Sequence, residues 1–367
     1  MTKQVRYQPS PIEEFRGNPL IEALPPPRID EEIYDKLYLF PNWDEEERKL
    51  PAHIRKLLVS RLDKLIIPRP EYFKLFHAME ELIFWGYENK NPSSATTNHW
   101  LHYPAYKEAT VIPHSGLFQS NARAITVYGP SGVGKSKMVD QVLPLFPQYI
   151  KHGPNARGSL SIEQLVYLKV ECPDKASISA LCRAIIRQYR LDTGNSLPSL
   201  GKRPSNSELE EAVDQLARTS FLGAFVIDEL TNISVQRAGG QRQFLQFLLR
   251  LMNTAGVPFV LVGTEELPGI LSGEQWTSRR CESGGVIHMP PMTKALWSLF
   301  VNRMWKFQWT DVPTELTEDL SQQLAKLSKG LPDPAIRTFR EAHKRVIGTG
   351  DERITTAGLR EAFRVAT

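Results

Sequence analysis

The chain has 367 residues, of which 41% are hydrophobic and 23% charged, with a formal net charge of +4. No apolar run approaches the roughly 20 residues that span a bilayer and no secretory signal follows Met1, so a cytoplasmic location without a membrane partner is expected. The cysteines Cys172, Cys182 and Cys281 show no C-x-x-C spacing, which argues against a zinc site or a disulfide framework.

The N-terminal part divides into two predicted segments. Residues 1–44 hold few apolar clusters, and the prolines Pro25–Pro27 predict an extended segment, either disordered or able to dock a partner. Residues 45–120 predict a helical extension with a basic amphipathic helix over Leu50–Leu65 and a second helix over about Glu71–Tyr87. The basic residues of the first helix form a solvated face or contact DNA, and the solvated face is the simpler interpretation.

A phosphate-binding loop follows. Gly129–Ser136 fits G-x-x-x-x-G-K-[ST], and it lies between a predicted strand, Ala124–Tyr128, and a predicted helix, Lys137–Leu143, as the motif requires. Its glycines let backbone N–H groups surround phosphates, and the helix N-terminus adds partial positive charge. Lys135 is expected to reach the β- and γ-phosphates of ATP, and the Ser136 hydroxyl to bind Mg²⁺. The predicted cofactor-binding residues are Gly129, Pro130, Ser131, Gly132, Val133, Gly134, Lys135 and Ser136.

A second motif lies on an apolar run that ends in two acids, Gly223–Glu229. Fully buried parallel strands are apolar without alternation, and their carboxyl ends face the ligand crevice. Asp228 is therefore predicted to bind Mg²⁺ as a Walker B aspartate, and Glu229 to activate the attacking water as general base. The alternative is an Asp-Glu helix cap after an ordinary strand, and the phosphate-binding loop upstream argues against it.

Two further strands complete the predicted core. One is Leu165–Val170, followed by a helix from about Ser177, and the other is Pro258–Thr264, preceded by the amphipathic helix Arg242–Asn253. Thr264 is expected between the two Walker strands, where it can contact the γ-phosphate or the attacking water. This alternation predicts a parallel sheet covered by helices.

Candidate DNA contacts lie in loops of the core. The segment Lys151–Ser159 is predicted as a polar, positively charged loop. Lys151, Arg157 and Lys175 are candidates for backbone phosphate contacts, and each could instead be a solvated surface charge. Because no base-reading module is apparent, any binding to double-stranded DNA is expected to be sequence-neutral.

Residues 291–367 predict a helical lid, with helices over Lys294–Phe300 and Leu316–Ser328. Arg337 is a weak candidate for a nucleotide-sensing arginine in this region. Nothing basic alternates with the lid's tryptophans, so packing is expected for them rather than base stacking. These tryptophans are Trp297, Trp305 and Trp309.

This arrangement resembles the AAA+ ATPases and, more narrowly, the TnsC family of ATP-dependent regulators of transposition. The resemblance covers roughly residues 45–340. It implies an α/β fold with a P-loop AAA+ core over 121–290, whose parallel sheet is flanked by helices, an N-terminal helical extension and a C-terminal helical lid. Besides the Walker motifs it rests on Gly86–Pro92, Val170–Pro173 followed by Ser177, Asp192–Gly194 and Gly263–Thr264.

The resemblance also implies a function. Members of the TnsC family oligomerise on target DNA with ATP and link a target-selecting protein to transposase subunits, a role also described as MuB-like. In AAA+ rings an arginine after the Gly-Thr strand reaches the γ-phosphate held by the neighbouring subunit, which implies Arg280, or else Arg279, as the finger. The implied catalytic residues are Lys135, Glu229, Thr264 and Arg280, with ATP and Mg²⁺ as cofactors and a ring or helical filament as the homo-oligomer.

Two alternatives stay open. A replication initiator or helicase loader shares the same core, although it would usually carry a winged-helix domain after the lid. A nucleotide-gated interaction switch would bind ATP with little turnover, and Glu229 argues against it.

Overall fold

The computed structural model describes residues 5–102, 117–153, 162–173, 177–195, 201, 203–232, 240–272, 280 and 282–366. The chain divides into two compact units, which we call the sheet unit and the lid unit. The sheet unit comprises Met1–Ile29, Phe73–Tyr128 and Val139–His288, and the lid unit comprises Asp30–Tyr72, Gly129–Met138 and Met289–Thr367.

The strands of the described residues are β1 (Ala124–Tyr128), β2 (Tyr149–His152), β3 (Ile162–Leu165), β4 (Tyr167–Glu171), β5 (Ala224–Asp228), β6 (Phe259–Gly263) and β7 (Val286–His288). Five of them form one sheet in the order β4-β5-β6-β1-β7, and every neighbouring pair is parallel. The two Walker strands β1 and β5 therefore flank β6, which confirms the predicted order. Parallel strands bring their carboxyl ends to the same edge, where ligands bind in open α/β sheets.

One predicted strand is shifted. The apolar run Leu165–Val170 is divided, because Leu165 ends β3 and the parallel strand β4 begins at Tyr167. β3 pairs antiparallel with β2 in a separate hairpin. Leu165 and Val166 are both fully buried, so the apolar run continues across the break between the two strands. For this reason the sequence pattern predicts one strand where the structure has two.

The α-helices of the described residues are α1 (Pro19–Glu22), α2 (Asp30–Leu37), α3 (Ala52–Leu58), α4 (Pro70–Glu88), α5 (Ala95–His102), α6 (Lys135–Val142), α7 (Ile178–Thr193), α8 (Asn206–Thr219), α9 (Gly240–Thr254), α10 (Leu267–Leu271), α11 (Lys294–Met304), α12 (Glu318–Ser328), α13 (Pro332–Val346) and α14 (Thr356–Ala366). Local side-chain caps and glycines determine where helices begin and end. For example, the Ser177 side chain caps α7 at Ala180 N–H, and Gly194 ends that helix with φ 72°. Among these helices, none has both the length and the apolar character that crossing a membrane requires.

The core of the sheet unit lies between its strands and the helices α7, α8 and α9. Phe225 of β5 and Phe259 of β6 are fully buried and stack with ring centroids 5.4 Å apart. All five residues of β5 and of β6 are buried. Burial on both faces explains why these strands are apolar without alternation.

Residues 5–44 differ from the predicted extended segment, because they contain short helices and bury several side chains. Phe15 and Leu20 are buried in the sheet unit, whereas Ile33 and Leu37 of α2 are buried in the lid unit. These apolar residues are too sparse to give a helical period. Tertiary burial decides their conformation, and the prediction from proline content is wrong for this segment.

The predicted helix over Leu50–Leu65 is α3 followed by a 3₁₀-helix at Val59–Lys64. Its basic side chains do not all form a solvated face. Arg55 is 7% exposed and forms an ion pair with Glu352, so the predicted solvated face is wrong at this position. Two of the other predicted basic residues, His53 and Lys56, are exposed.

The core of the lid unit is aromatic. Trp305 stacks on Phe339 with ring centroids 4.5 Å apart. Each indole N–H has an acceptor, as buried tryptophan requires. The predicted packing role of the tryptophans is therefore confirmed. The acceptors are Ser321 Oγ for Trp297 at 3.2 Å, the Thr314 carbonyl for Trp305 at 2.7 Å and Glu47 Oε2 for Trp309 at 2.9 Å.

Candidate nucleotide site

The P-loop has a backbone conformation that depends on its glycines. Gly132 and Gly134 have φ of 79° and 100°, a region that side chains disfavour. A Cβ at Gly129 would overlap the Met289 carbonyl oxygen. The three glycines of the motif therefore meet a steric requirement that other residues would not meet without strain.

Lys135 begins α6, and its side chain bonds to the loop that precedes it. Its Nζ donates to the carbonyl oxygens of Gly129 at 2.9 Å and Pro130 at 3.0 Å, and the residue is 7% exposed. The loop therefore surrounds the ammonium group. Phosphate oxygens entering the loop would replace neutral carbonyl acceptors with charged ones, which form stronger hydrogen bonds.

The two consecutive acids at the end of β5 occupy different environments in the sheet unit. Asp228 is 4% exposed, and its Oδ1 accepts a hydrogen bond of 2.9 Å from the Glu229 N–H. Glu229 is half-buried and has φ 53°. A non-glycine residue in this left-handed region is uncommon, and such residues cluster at functional sites. The structure thus holds a buried carboxylate and a more accessible one in consecutive positions.

A lysine that the sequence analysis does not single out contacts Asp228, the predicted Walker B aspartate. Lys169 lies on β4, and its Nζ is 3.3 Å from Asp228 Oδ2 and 2.5 Å from Asp140 Oδ1. The lysine therefore bridges α6 and β5. Its signal in the sequence is a lone cation inside an apolar strand, because such a charge needs a carboxylate partner.

Thr264 follows β6, the strand between the two Walker strands, and is half-buried. Its carbonyl oxygen accepts from the Leu267 N–H at 3.0 Å, where α10 begins. The next residue, Glu265, lies 3.1 Å from His288 at the end of β7. The structure thus places Thr264 at the strand end that the sequence predicts, and its role as a γ-phosphate sensor stays a prediction.

Arg280 is exposed, and its carbonyl oxygen accepts from Ser283 Oγ at 2.8 Å. Arg279 lies outside the described residues. Of the three candidate DNA contacts, Arg157 and Lys175 also lie outside them. Lys151 is not in a loop as predicted, because it belongs to β2, where it faces Glu163 of β3 at 3.6 Å and the Tyr149 ring at 5.5 Å. A lysine with a carboxylate partner is a weaker candidate for a phosphate contact.

The predicted ligands of Mg²⁺ are oxygen atoms, which suit an ion that arrives bound to a nucleotide. Mg²⁺ is usually held by one or two protein oxygens together with phosphate oxygens and waters. The described residues contain no group of three or more His, Cys, Asp or Glu side chains that could hold a metal alone. Asp228 and the Ser136 hydroxyl are each hard oxygen donors of the required kind, and their binding of Mg²⁺ stays a prediction.

Comparison with known proteins agrees with this fold. Residues 119–271 match the family model of the AAA domain. No curated protein matches the sequence significantly. Cdc6p from Pyrobaculum aerophilum is similar in structure over 90% of this chain and 72% of its own, with 13% identity and a TM-score of 0.53.

Two proteins of Aeropyrum pernix are similar over smaller parts of the chain. The ORC2 protein, in its ADPNP–ADP complexes, has 13% identity and a TM-score of 0.45 over 75% of this chain and 69% of its own. The ORC1 protein, in complex with DNA, has 18% identity and a TM-score of 0.43 over 73% of this chain and 69% of its own. The match to the AAA domain is confined to residues 119–271, and the architecture of the chain is the AAA+ P-loop fold.

Proposed function

We propose that this protein is a Mg²⁺-dependent AAA+ ATPase. One observation carries the proposal: a P-loop with the required glycine torsions follows β1, a strand of a parallel sheet in which β5 ends at Asp228 and is followed by Glu229. In P-loop proteins, Walker motifs at the ends of two strands that flank a third constitute nucleotide hydrolysis machinery.

Each residue has a distinct part in the proposed reaction. Lys135 exchanges its carbonyl partners for the β- and γ-phosphates. Ser136 and Asp228 would hold Mg²⁺, which would neutralise charge on the phosphates. Glu229 accepts a proton from the attacking water, and Thr264 contacts the γ-phosphate or that water. Arg280 reaches the γ-phosphate held by a neighbouring subunit, so that hydrolysis depends on assembly.

We propose further that the ATP-bound protein oligomerises on double-stranded DNA and links target selection to transposase recruitment. Support comes from the segments that resemble the TnsC family, among them Val170–Pro173 and Gly263–Thr264. The exposure of Arg280, which leaves it accessible to a second copy of the chain, also supports the proposal.

The hydrolysis proposal is tested with two variants and a matched control. Glu229→Gln is expected to bind ATP and to lower turnover about 100-fold or more, because general-base catalysis contributes 10² to 10⁴. Lys135→Ala is expected to lose ATP binding. Glu318→Gln removes an exposed acid at the start of α12 in the lid unit and should leave turnover unchanged. Normal turnover by Glu229→Gln would remove Glu229 from the mechanism.

The finger proposal is tested by mixing inactive variants. Glu229→Gln retains Arg280, whereas Arg280→Ala retains Glu229, so a mixed oligomer contains complete sites at some interfaces. Equimolar mixing on duplex DNA is expected to restore part of the turnover that each variant lacks alone. Mixing Arg280→Ala with the double variant Glu229→Gln/Arg280→Ala should restore none. Full activity of Arg280→Ala alone would contradict the finger assignment.

The role in transposition is tested on DNA. Electron microscopy with duplex DNA and a slowly hydrolysed ATP analogue is expected to show rings or helical filaments, and isolated monomers would contradict oligomerisation. The ATP-bound protein should also increase strand transfer by a purified partner transposase. Loading of a replicative helicase without any effect on strand transfer would instead support a replication initiator.

A further inference from the structure

Three charged side chains of the sheet unit connect the predicted Walker B aspartate to the helix that follows the P-loop. Lys169 Nζ lies 2.5 Å from Asp140 Oδ1 and 3.3 Å from Asp228 Oδ2. The contact with Asp140 is a charge-assisted hydrogen bond, whereas the distance to Asp228 exceeds the usual range of about 2.7–2.9 Å for such bonds. Lys169 therefore holds Asp140 more closely than it holds Asp228.

The register of the sheet accounts for this arrangement. Lys169 of β4 lies two register positions before Asp228 of β5. Residues two positions apart point to the same face of a sheet, so the lysine and the aspartate share one face. Val170 and Ile227, the residues that alternate with them, belong to the hydrophobic core on the other face. The lysine can therefore reach α6, which supplies Asp140.

Each carboxylate oxygen of Asp228 has a partner, and the two partners differ in mobility. Oδ1 accepts from the backbone N–H of Glu229 at 2.9 Å, and Oδ2 faces the ammonium group of Lys169. The first partner belongs to the main chain at the end of β5, whereas the second belongs to a long side chain with another acceptor, Asp140. The lysine is therefore the partner that an incoming cation can replace without a change in the backbone.

We propose that Lys169 is a positioning residue that competes with Mg²⁺ for Asp228, and that Asp140 receives the lysine when the ion binds. The inference rests on the proposed Mg²⁺-dependent binding of ATP. Before nucleotide binds, Lys169 orients the buried carboxylate of Asp228 and offsets its charge, because an unpaired buried charge is costly. When Asp228 takes Mg²⁺ as its partner, Lys169 keeps Asp140, so the ammonium group is not left without a carboxylate.

Substitutions of Lys169 and of Asp140 should therefore have opposite effects on the binding of Mg²⁺. Lys169→Met removes the competing cation, so the negative charge of Asp228 attracts the ion more strongly. Asp140→Asn removes the carboxylate that receives the lysine, so the ammonium group stays with Asp228 and opposes the ion. Asp140 is exposed, so its substitution should not disturb the fold.

The experiment measures how much Mg²⁺ strengthens nucleotide binding. A slowly hydrolysed ATP analogue is titrated by calorimetry in buffer with Mg²⁺ and in buffer with EDTA, and the dissociation constant in EDTA is divided by that in Mg²⁺. Relative to the wild type, this ratio is expected to rise about fivefold in Lys169→Met and to fall about fivefold in Asp140→Asn. Arg250→Met breaks an ion pair of 2.5 Å with Glu210 in the same unit and should leave the ratio unchanged.

The outcomes distinguish this inference from the proposed function. A wild type that does not bind the analogue, or binds it equally well in both buffers, contradicts both. A wild type whose binding depends on Mg²⁺, with an unchanged or lower ratio in Lys169→Met, overturns only the competition. A purely structural effect of the lysine would weaken binding in both buffers alike, leave the ratio unchanged and so overturn it too. If Lys169→Met does not fold, an unchanged or higher ratio in Asp140→Asn overturns the inference.

Discussion

The lid unit and the sheet unit each bury a cation from the N-terminal part of the chain, and the two cations have different hydrogen-bond partners. In the lid unit Arg55 is 7% exposed and meets Glu352 through two hydrogen bonds, of 2.5 Å and 2.8 Å. In the sheet unit Lys90 is 1% exposed, and its Nζ donates to the Leu222 carbonyl at 2.9 Å. No carboxylate of the described residues forms an ion pair with it.

The hydrogen-bond partner of each buried cation determines whether its charge stabilises or destabilises the fold. The hydrogen bond from Arg55 lowers the pKa of Glu352 from 4.5 to about 2, so the ion pair favours the charged carboxylate. Burial lowers the pKa of Lys90 from 10.5 to about 7, because loss of hydration disfavours the charged form. Arg55 and Glu352 together support the fold at neutral pH, whereas charged Lys90 opposes it.

The largest effect on stability is expected from Arg55→Met. Removing one member of a buried ion pair leaves the other charge without compensation, which costs about 3–5 kcal/mol. The free energy of unfolding, measured in urea at neutral pH, should fall by that amount. The double variant Arg55→Met/Glu352→Gln should recover most of the loss, and a double variant as unstable as the single one would show that packing of the arginine matters more than its charge.

The second prediction concerns the loss of folding stability at acid pH. The pKa of Glu352 is lower in the folded than in the unfolded state, so its contribution is fully present above about pH 4.5 and is lost as the pH falls towards 2. A shift of this size corresponds to about 3 kcal/mol. Glu352→Gln should therefore show a shallower decline in stability over this range than the wild type. An equally steep decline in the variant and the wild type would contradict the assignment of this pH dependence to Glu352.

Lys90→Met should act in the opposite direction. The pKa of Lys90 is lower in the folded state, so the charged lysine opposes folding below about pH 7, and the penalty is relieved as the pH rises towards 10.5. The variant should be more stable than the wild type at pH 7, and this advantage should shrink by about 3 kcal/mol by pH 10. The exposed Lys74→Met in the same unit should show no such trend.

Local patterns predict the sheet of the AAA+ fold well. The strand predicted at Pro258–Thr264 is Phe259–Gly263, and that predicted at Gly223–Glu229 is Ala224–Asp228. A buried parallel strand must be apolar along its whole length, so its own sequence carries the signal. The signal that predicts the P-loop is also local, because its glycines meet a steric requirement that arises within a few residues.

The polar contacts of the site and of the buried charges are not local. Arg55 and Glu352 are 297 residues apart, and nothing in either neighbourhood marks them as partners. Lys169 is the exception, since a lone cation in an apolar strand already calls for an acid nearby.

The smallest effects on stability are expected for exposed ion pairs, which test charge pairing without burial. Arg123 pairs with Glu81 in the sheet unit at 2.9 Å, and Arg345 pairs with Glu361 in the lid unit at 2.5 Å, with all four side chains at least 44% exposed. Arg123→Met and Arg345→Met should each change the free energy of unfolding by less than about 1 kcal/mol, and high salt should reduce even that, because water and ions screen exposed pairs. If either variant lost as much stability as Arg55→Met, charge pairing itself would matter more than desolvation, and the contrast between Arg55 and Lys90 would need another cause.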